Sequence, residues 1–288
     1  MKSVKNKEPE KEVIYHKNGN IKSIKIYNSI GFFHCENGPA VQAWYENGQK
    51  REEKYLINNN YHRENGPAIM NWYSNGQKNQ EYYCINGEYH REDGPAFEYW
   101  NTNGQKIEEE YHINGQKHRE DGPAYRSWYD NQQIYQESYF INDKIHREDG
   151  PAYQQWFDNG QIYSVSYFLN GKYHKTDGPA DIYWYSNGIK ERESYYLNDN
   201  LHREDGPAAQ MWSDNGEKIE EVYYLNGEFH REDGPAIQRW FGNQIDEYYY
   251  YLNNIEYQRL DWLNKLREMN SPHYKEQKLL FDMYKYNL

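Results

Sequence analysis

Four residue types recur every 28 positions along most of this chain, and that period constrains the fold more than anything else in the sequence. Histidine holds the frame from His34 through His62, His90 and onward to His230. Proline does the same from Pro39 through Pro67 and Pro95 to Pro235, tryptophan from Trp44 through Trp72 and Trp100 to Trp240, and tyrosine from Tyr55 through Tyr83 and Tyr111 to Tyr251. Eight units therefore share the string His-Arg-Glu-Asp-Gly-Pro-Ala or a near copy of it. A segment this short cannot bury its own apolar face. Neighbouring copies must cover one another, as in repeat architectures.

Each unit reads as two strands and two turns. The run Ala68-Ile69-Met70-Asn71-Trp72-Tyr73 leads to Asn75-Gly76, and Glu81-Tyr82-Tyr83-Cys84-Ile85 leads to Asn86-Gly87. Asn-Gly accepts positive φ at both central positions, which makes it a strong hairpin signal between alternating segments. The expected fold is all-β: an elongated antiparallel meander of tandem β-hairpins with about 16 strands, on the order of 75 Å long at the usual strand spacing. Tight reversals favour a meander over a solenoid, whose corners only bend the chain.

Side chains alternate between faces with period two. Ala96 and Trp100 then share one face, as do Glu109, Tyr111 and Ile113. The Trp and Tyr ladders are expected to form a continuous apolar side. The opposite face changes from copy to copy, with Leu56, Cys84, His112, Phe140, Phe168, Tyr196, Tyr224 and Leu252 at one repeat position. Constancy on one face and variation on the other mark His112, Phe140, Phe168, Tyr196 and Tyr224 as the candidate partner-binding face. His62, Pro67, Trp72, Tyr83, His90, Pro95, Trp100 and Tyr111 are read as residues that define the repeat.

The ends depart from the pattern. Residues 1–13 read as a flexible charged tail, and 14–254 as the eight repeats with a leading half repeat around Asn18-Gly19. Residues 255–288 read as a short α-helical C-terminal cap, because Tyr257, Leu260, Leu263 and Leu266 fall at helical spacing before Ser271-Pro272 and a second amphipathic stretch. An open sheet edge calls for such a cap.

Composition narrows the function. Hydrophobic residues are 36% while aromatics reach 18%, so Tyr and Trp must supply much of the buried area. Net charge is −12; the tail and the segment from Glu256 onward each carry +1, which leaves −14 for the body. Such a body repels phosphate backbones and anionic lipid, and suits basic or neutral polar partners rather than nucleic acid. Cys35 and Cys84 sit at non-equivalent repeat positions and imply no disulfide framework. There is no signal-peptide pattern and no apolar run long enough for a transmembrane segment, so an intracellular protein is expected.

No catalytic constellation assembles. His-Arg-Glu-Asp superficially matches part of a kinase catalytic loop, but the Asp-Phe-Gly and the Gly-rich phosphate loop that would accompany it are absent. A zinc site needs three or four converging ligands, and equivalent histidines two strands apart stand about 9.5 Å from one another. The string is better read as turn and strand-start chemistry, with Pro fixing φ where no donor is needed. No metal and no cofactor are expected, and no enzymatic activity.

The Tyr-x-Asn-Gly turns with Gly-Pro after the second Asn-Gly resemble the variant MORN repeat. Copies bearing His-Arg-Glu-Asp-Gly-Pro-Ala are similar to repeat proteins encoded by large DNA viruses of amoebae. The resemblance spans about residues 14 to 254. It implies a single-layer β-sheet scaffold, sometimes linked to membranes, and a host-cytoplasmic or virion-associated setting. The long loop and the acidic body depart from the usual MORN pattern and weigh against lipid. The expectation is a non-catalytic scaffold for protein–protein interaction, monomeric or weakly oligomeric. A carbohydrate- or polymer-binding module using the aromatic ladders is the alternative, and a lipid-associated scaffold ranks lower.

Overall fold

The 28-residue period resolves into a strand, a tight turn, a second strand and a short two-stranded ribbon that leads into the next His-Arg string. The computed structural model describes residues 10–286. The chain divides into two units, residues 1–144 with 158–160 and residues 145–157 with 161–288.

In the first unit, strands at Val41–Trp44, Lys50–Lys54, Ile69–Trp72, Lys78–Tyr82, Phe97–Trp100, Lys106–Glu110, Tyr125–Trp128 and Ile134–Ser138 follow one another. The interior strands pair antiparallel with both sequence neighbours, so the expected meander is present. Phe97, Glu98 and Tyr99 stand opposite Tyr82, Glu81 and Gln80 on one side and Glu110, Glu109 and Glu108 on the other. The second unit repeats this order from Tyr153–Trp156 to Ile237–Phe241 and Gln244–Leu252.

The two Asn-Gly turns of a unit differ, where the same geometry was expected of both. In the ribbon turn Asn86 and Gly87 both lie at positive φ, 53° and 91°, the primed form. In the turn after Trp72 only Gly76 does, at 86°. There the Gly76 N–H donates to the Tyr73 carbonyl, and the Tyr73 N–H donates to that of Gln77. This is a type I turn closed by a left-handed glycine, and the resulting bulge shifts the register between Asn71 and Trp72.

The second strand is also shorter than the sequence suggests. It stops at Tyr82, and Cys84–Ile85 pairs instead with Glu88–Tyr89 in a ribbon. The break falls at the constant tyrosine because its backbone changes partners: the Tyr83 N–H donates to the Ala96 carbonyl at 2.7 Å, while its own carbonyl accepts from the His90 N–H at 3.0 Å. Glu81, Tyr83 and Ile85 thus do not line one continuous strand.

Both ends correct the expected boundaries. A strand already runs from Glu10 to Tyr15 and pairs with Ile21–Tyr27, so the leading repeat has both of its strands and the tail does not extend to residue 13. Residues 1–9 lie outside the described residues. At the other end Ile255–Tyr257 continues the last ribbon, and helix begins only at Arg259. Helix α1 (Arg259–Glu268) is followed by Asn270, whose φ of 53° turns the chain toward α2 (Tyr274–Tyr286). Trp262, Leu263 and Leu266 of α1 pack on Tyr250 and Leu252.

Within the repeats Ala40, Ala68, Ala96, Ala124, Ala152, Ala180, Ala208 and Ala236 have no exposure; Ser164 matches them, and Cys84 and Ser138 are nearly as enclosed. Each alanine sits at the end of the string, its carbonyl accepting from the preceding constant tyrosine wherever that bond is described, as for Tyr55, Tyr83 and Tyr195. A single-layer sheet has no room for a larger side chain there. The rings lie only half-buried around it.

Candidate interaction surfaces

The His-Arg string forms a loop at one end of each hairpin, and its histidine and arginine are held by internal bonds. Nδ1 of His62 accepts the Asn86 N–H at 3.2 Å, and that of His90 accepts the Asn114 N–H at 3.1 Å; His146 and His202 do the same for Asn170 and Asn226. Each of these histidines thereby fastens its loop to the ribbon turn of the following repeat. The arginine folds back over its own loop. Arg91 donates to Asp93 at 2.8 Å and to the Pro95 carbonyl at 3.2 Å, while its guanidinium lies 3.9 Å from the Tyr83 ring centre. Arg63 donates likewise to the Pro67 carbonyl, and Arg119 covers Tyr111 at 4.0 Å. Glycine is required beneath it: a Cβ on Gly94 would stand 2.9 Å from the Arg91 guanidinium carbon.

These pairings hold the Asp93, Asp121, Asp149 and Asp205 carboxyls below the usual carboxylate range, the arginine hydrogen bond being the main cause. The glutamates between them remain exposed, each about 3.9 Å from its histidine, as in the His90–Glu92 and His118–Glu120 pairs. Successive loops enclose clefts floored by the constant tyrosine and the aliphatic residue two places on. One of about 620 Å³ lies between Arg63–Gly66 and His90–Asp93 over Tyr83 and Ile85, and one of about 500 Å³ follows it over Tyr111 and Ile113.

The opposite end of the hairpins is tied in the same manner. The Tyr45 hydroxyl donates to the Trp72 carbonyl and that of Tyr73 to Trp100, both at 2.9 Å. Asn47 and Asn75 reach the next turn, at the Ser74 and Thr102 carbonyls.

The constant face is not the continuous apolar side expected of it. Lys50 lies 5.3 Å from the Trp72 ring centre and Lys78 lies 5.2 Å from that of Trp100; Lys190 and Lys218 stand similarly over Trp212 and Trp240. The same lysines pair with buried glutamates, Lys50 with Glu53 and Lys78 with Glu81. The face is a lattice of cations over rings. The sequence reading placed Ala96 and Glu109 on this face but missed that such residues are its buried ones.

The variable face holds the five candidate residues at equivalent places without making them a free row of rings. His112 is buried, its Nε2 2.8 Å from Glu110, which also accepts from Lys117 at 2.9 Å. Burial pushes the Glu110 carboxyl up, but those two contacts outweigh it and hold it below the usual range. Phe140 is half-buried, with the Lys117 ammonium 5.7 Å from its ring centre. In the second unit Phe168 stacks on Tyr173 at 4.1 Å, Tyr173 on Tyr196 at 5.0 Å, and Tyr224 on Phe229 at 4.5 Å. Beside them Asp181 is buried and accepts from Ser166 at 2.6 Å; burial raises its carboxyl. Arg192 covers Tyr183 at 3.8 Å, and Met211 is exposed.

Cys84 is buried, which pushes its thiol up to about 11. Among the described residues no helix is long and apolar enough to cross a membrane.

No protein-family model matches the chain, and no curated protein matches it. Among solved structures it is similar to TcdB2-TccC3 without its hypervariable C-terminal region, at 11% identity and a TM-score of 0.18, over 85% of this chain and 13% of that one. It is also similar to TcdB2-TccC3-Cdc42, at 10% identity and a TM-score of 0.14, over 85% of this chain and 14% of that one. The chain thus spans about an eighth of the length of the first of these, and likeness at this level carries no argument about its fold or activity.

Proposed function

We propose that the chain is a non-catalytic scaffold that recognises a protein partner through the variable face of its repeats. One observation supports this reading: the constant residues are spent on holding neighbouring repeats together, whereas the chemistry at one face position changes from His112 to Phe140, Phe168, Tyr196 and Tyr224 without changing the backbone around it. A surface that varies on a fixed frame is suited to recognition. Half-buried aromatic rings beside an arginine and an exposed methionine have the composition of an interface centre. The carbohydrate alternative needs a free ring face for sugar stacking, and the Trp and Tyr ladders carry lysine and arginine over their rings.

Affinity capture with the full chain tests the proposal, with Met211→Glu compared against the unaltered protein. Met211 is exposed, so the substitution leaves the fold in place. A reproducible partner lost in that variant is the expected result. A partner retained in Met211→Glu and in a Tyr196→Ser, Tyr224→Ser double variant would sink the proposal, as would finding none.

A further inference from the structure

The eighth His-Arg string differs from the others in being occupied. The Ser271 hydroxyl donates to Glu232 at 2.6 Å, the Gln277 carboxamide donates to the Asp233 carbonyl at 2.9 Å, and His273 lines the cleft between Arg203–Gly206 and His230–Asp233. The Trp262 indole N–H reaches the Arg231 carbonyl at 3.2 Å from the same side. The Glu232 side chain is consequently 27% exposed, against 85% for Glu92, 86% for Glu120 and 84% for Glu204. In this copy the chain that follows the repeats reaches the loop with three hydrogen-bond donors, two to backbone carbonyls and one, the Ser271 hydroxyl, to the glutamate. The clefts over Tyr83 and Tyr111 carry an arginine and a glutamate on both walls and stand open, whereas in the one over Tyr195 Lys175 and Thr176 replace that pair on one wall.

We propose that the open loops bind a cationic polyproline-II segment of a partner protein, with Lys or Arg at every third residue. The charge follows from the loops themselves. The arginine of each fully conserved string is held by its aspartate and the proline carbonyl, so the exposed glutamate has only the histidine near it, as at Glu92 and Glu120. An ammonium or guanidinium makes a stronger, charge-assisted bond there than the Ser271 hydroxyl does at Glu232.

The conformation follows from the spacing. Equivalent loops are two strands apart, about 9.6 Å at the usual interstrand distance. A polyproline-II chain rises about 3.1 Å per residue with three residues per turn, so residues i and i+3 point the same way about 9.3 Å apart. In a β-strand those two residues point to opposite faces. An α-helix repeats its face at i+7, about 10.5 Å, and drifts by roughly 1 Å per loop. The tyrosine and isoleucine floor gives proline rings and lysine stems an apolar surface, as in other aromatic-lined grooves for such segments.

This surface is separate from the variable face, and the proposal shares with the scaffold reading only that the partner is a protein. Fluorescence anisotropy with the full chain tests it, using labelled (Lys-Pro-Pro)4 and a peptide carrying the same four lysines at every second position. The matched peptide is expected to bind at least tenfold more tightly at low salt. Glu64→Gln, Glu92→Gln and Glu120→Gln together should weaken it at least fivefold, whereas Glu232→Gln should change it less than twofold. These side chains are exposed and a thermal melt of the triple variant should match that of the unaltered chain. Equal affinity for the two peptides overturns the proposal, as does a triple variant that binds normally. Binding unchanged by Met211→Glu separates this result from failure of the scaffold reading.

Discussion

Trp262, Leu263 and Leu266 pack on Tyr250 and Leu252 at the C-terminal end of the second unit, whereas in the repeats the residues with no exposure at all are small, eight alanines and Ser164. The first arrangement is a small conventional core, stabilised by apolar area removed from water. The second is a sheet whose constant Trp and Tyr rings are only half-buried, with the cations of the repeats lying over them. Its cohesion comes from bonds repeated at both ends of every hairpin: His90 to the Asn114 amide at one, Tyr73 to the Trp100 carbonyl at the other. Such bonds are individually modest, about 1 kcal/mol each, and they act between neighbours only. Losing one loosens a repeat; losing the aromatic anchor of the cap removes an element.

The sharpest way to break this comparison is Trp262→Ala. The indole is enclosed, packs on Tyr250 at 4.6 Å between ring centres and donates to the Arg231 carbonyl. Truncation of a buried tryptophan costs about 3–5 kcal/mol. Limited proteolysis should cut the segment from Arg259 onward while the repeats stay protected. If the repeats become equally sensitive, cap and repeats are one cooperative body and the distinction fails.

Ala96→Leu comes next, because added methylenes in a filled site cost about 1–3 kcal/mol. Tyr99→Leu, at a half-buried site on the variable face, should cost less in urea denaturation. Equal midpoints would mean that the alanine row is not the core of the sheet.

That row also shows how far the sequence could be read. The 28-residue frame, the meander and the helical end were legible, because period, Asn-Gly pairs and helical spacing are local signals. The division of the second strand at Tyr83 was not: Cys84 and Ile85 continue the alternation, and only the competition of Ala96 and His90 for the tyrosine backbone shows where the chain bends. The two turns carry the same dipeptide and differ in the φ of the asparagine, which depends on whether the flanking strand accommodates a bulge. Ala96 belongs to a visible string, yet small residues carry no hydropathy signal strong enough to mark a core. The burial of His112 was not legible, because it depends on Glu110 and Lys117, residues brought to it by the ribbon.

Alkaline titration sharpens the comparison from the side of the rings. Burial pushes Tyr82 and Tyr173 up to about 12, and the phenols of Tyr83, Tyr111, Tyr195 and Tyr223 are raised for the same reason, partly offset by the arginine over each. A phenol whose folded value lies above its unfolded value contributes stability that is fully present below about pH 10, the ordinary tyrosine range, and is lost as pH rises toward 12. Tyrosinate absorbance should therefore lag that of the unfolded chain, then rise together with loss of the β-sheet circular dichroism signal. Ordinary titration with the fold intact would show that the rings of the sheet are more open to water than their neighbours imply.

The smallest effect is expected at the loops, in acid. Asp93, Asp121, Asp149 and Asp205 have lowered folded values, so the sign is opposite: their contribution is present above the usual carboxylate range and is lost as pH falls through the lowered values. All four are solvent-facing, and screening keeps such pairs weak. Their protonation should loosen each arginine from one of three holds, leaving the proline carbonyl and, where it is stacked, the tyrosine ring. Carboxyl chemical shifts followed by NMR should show these aspartates titrating below the same residues in the unfolded chain, with the sheet amides undisturbed. Aspartates that titrate as they do in the unfolded chain would mean that the arginine rests on tyrosine and proline alone, and that the loop edge is held by the histidines rather than by the ion pairs.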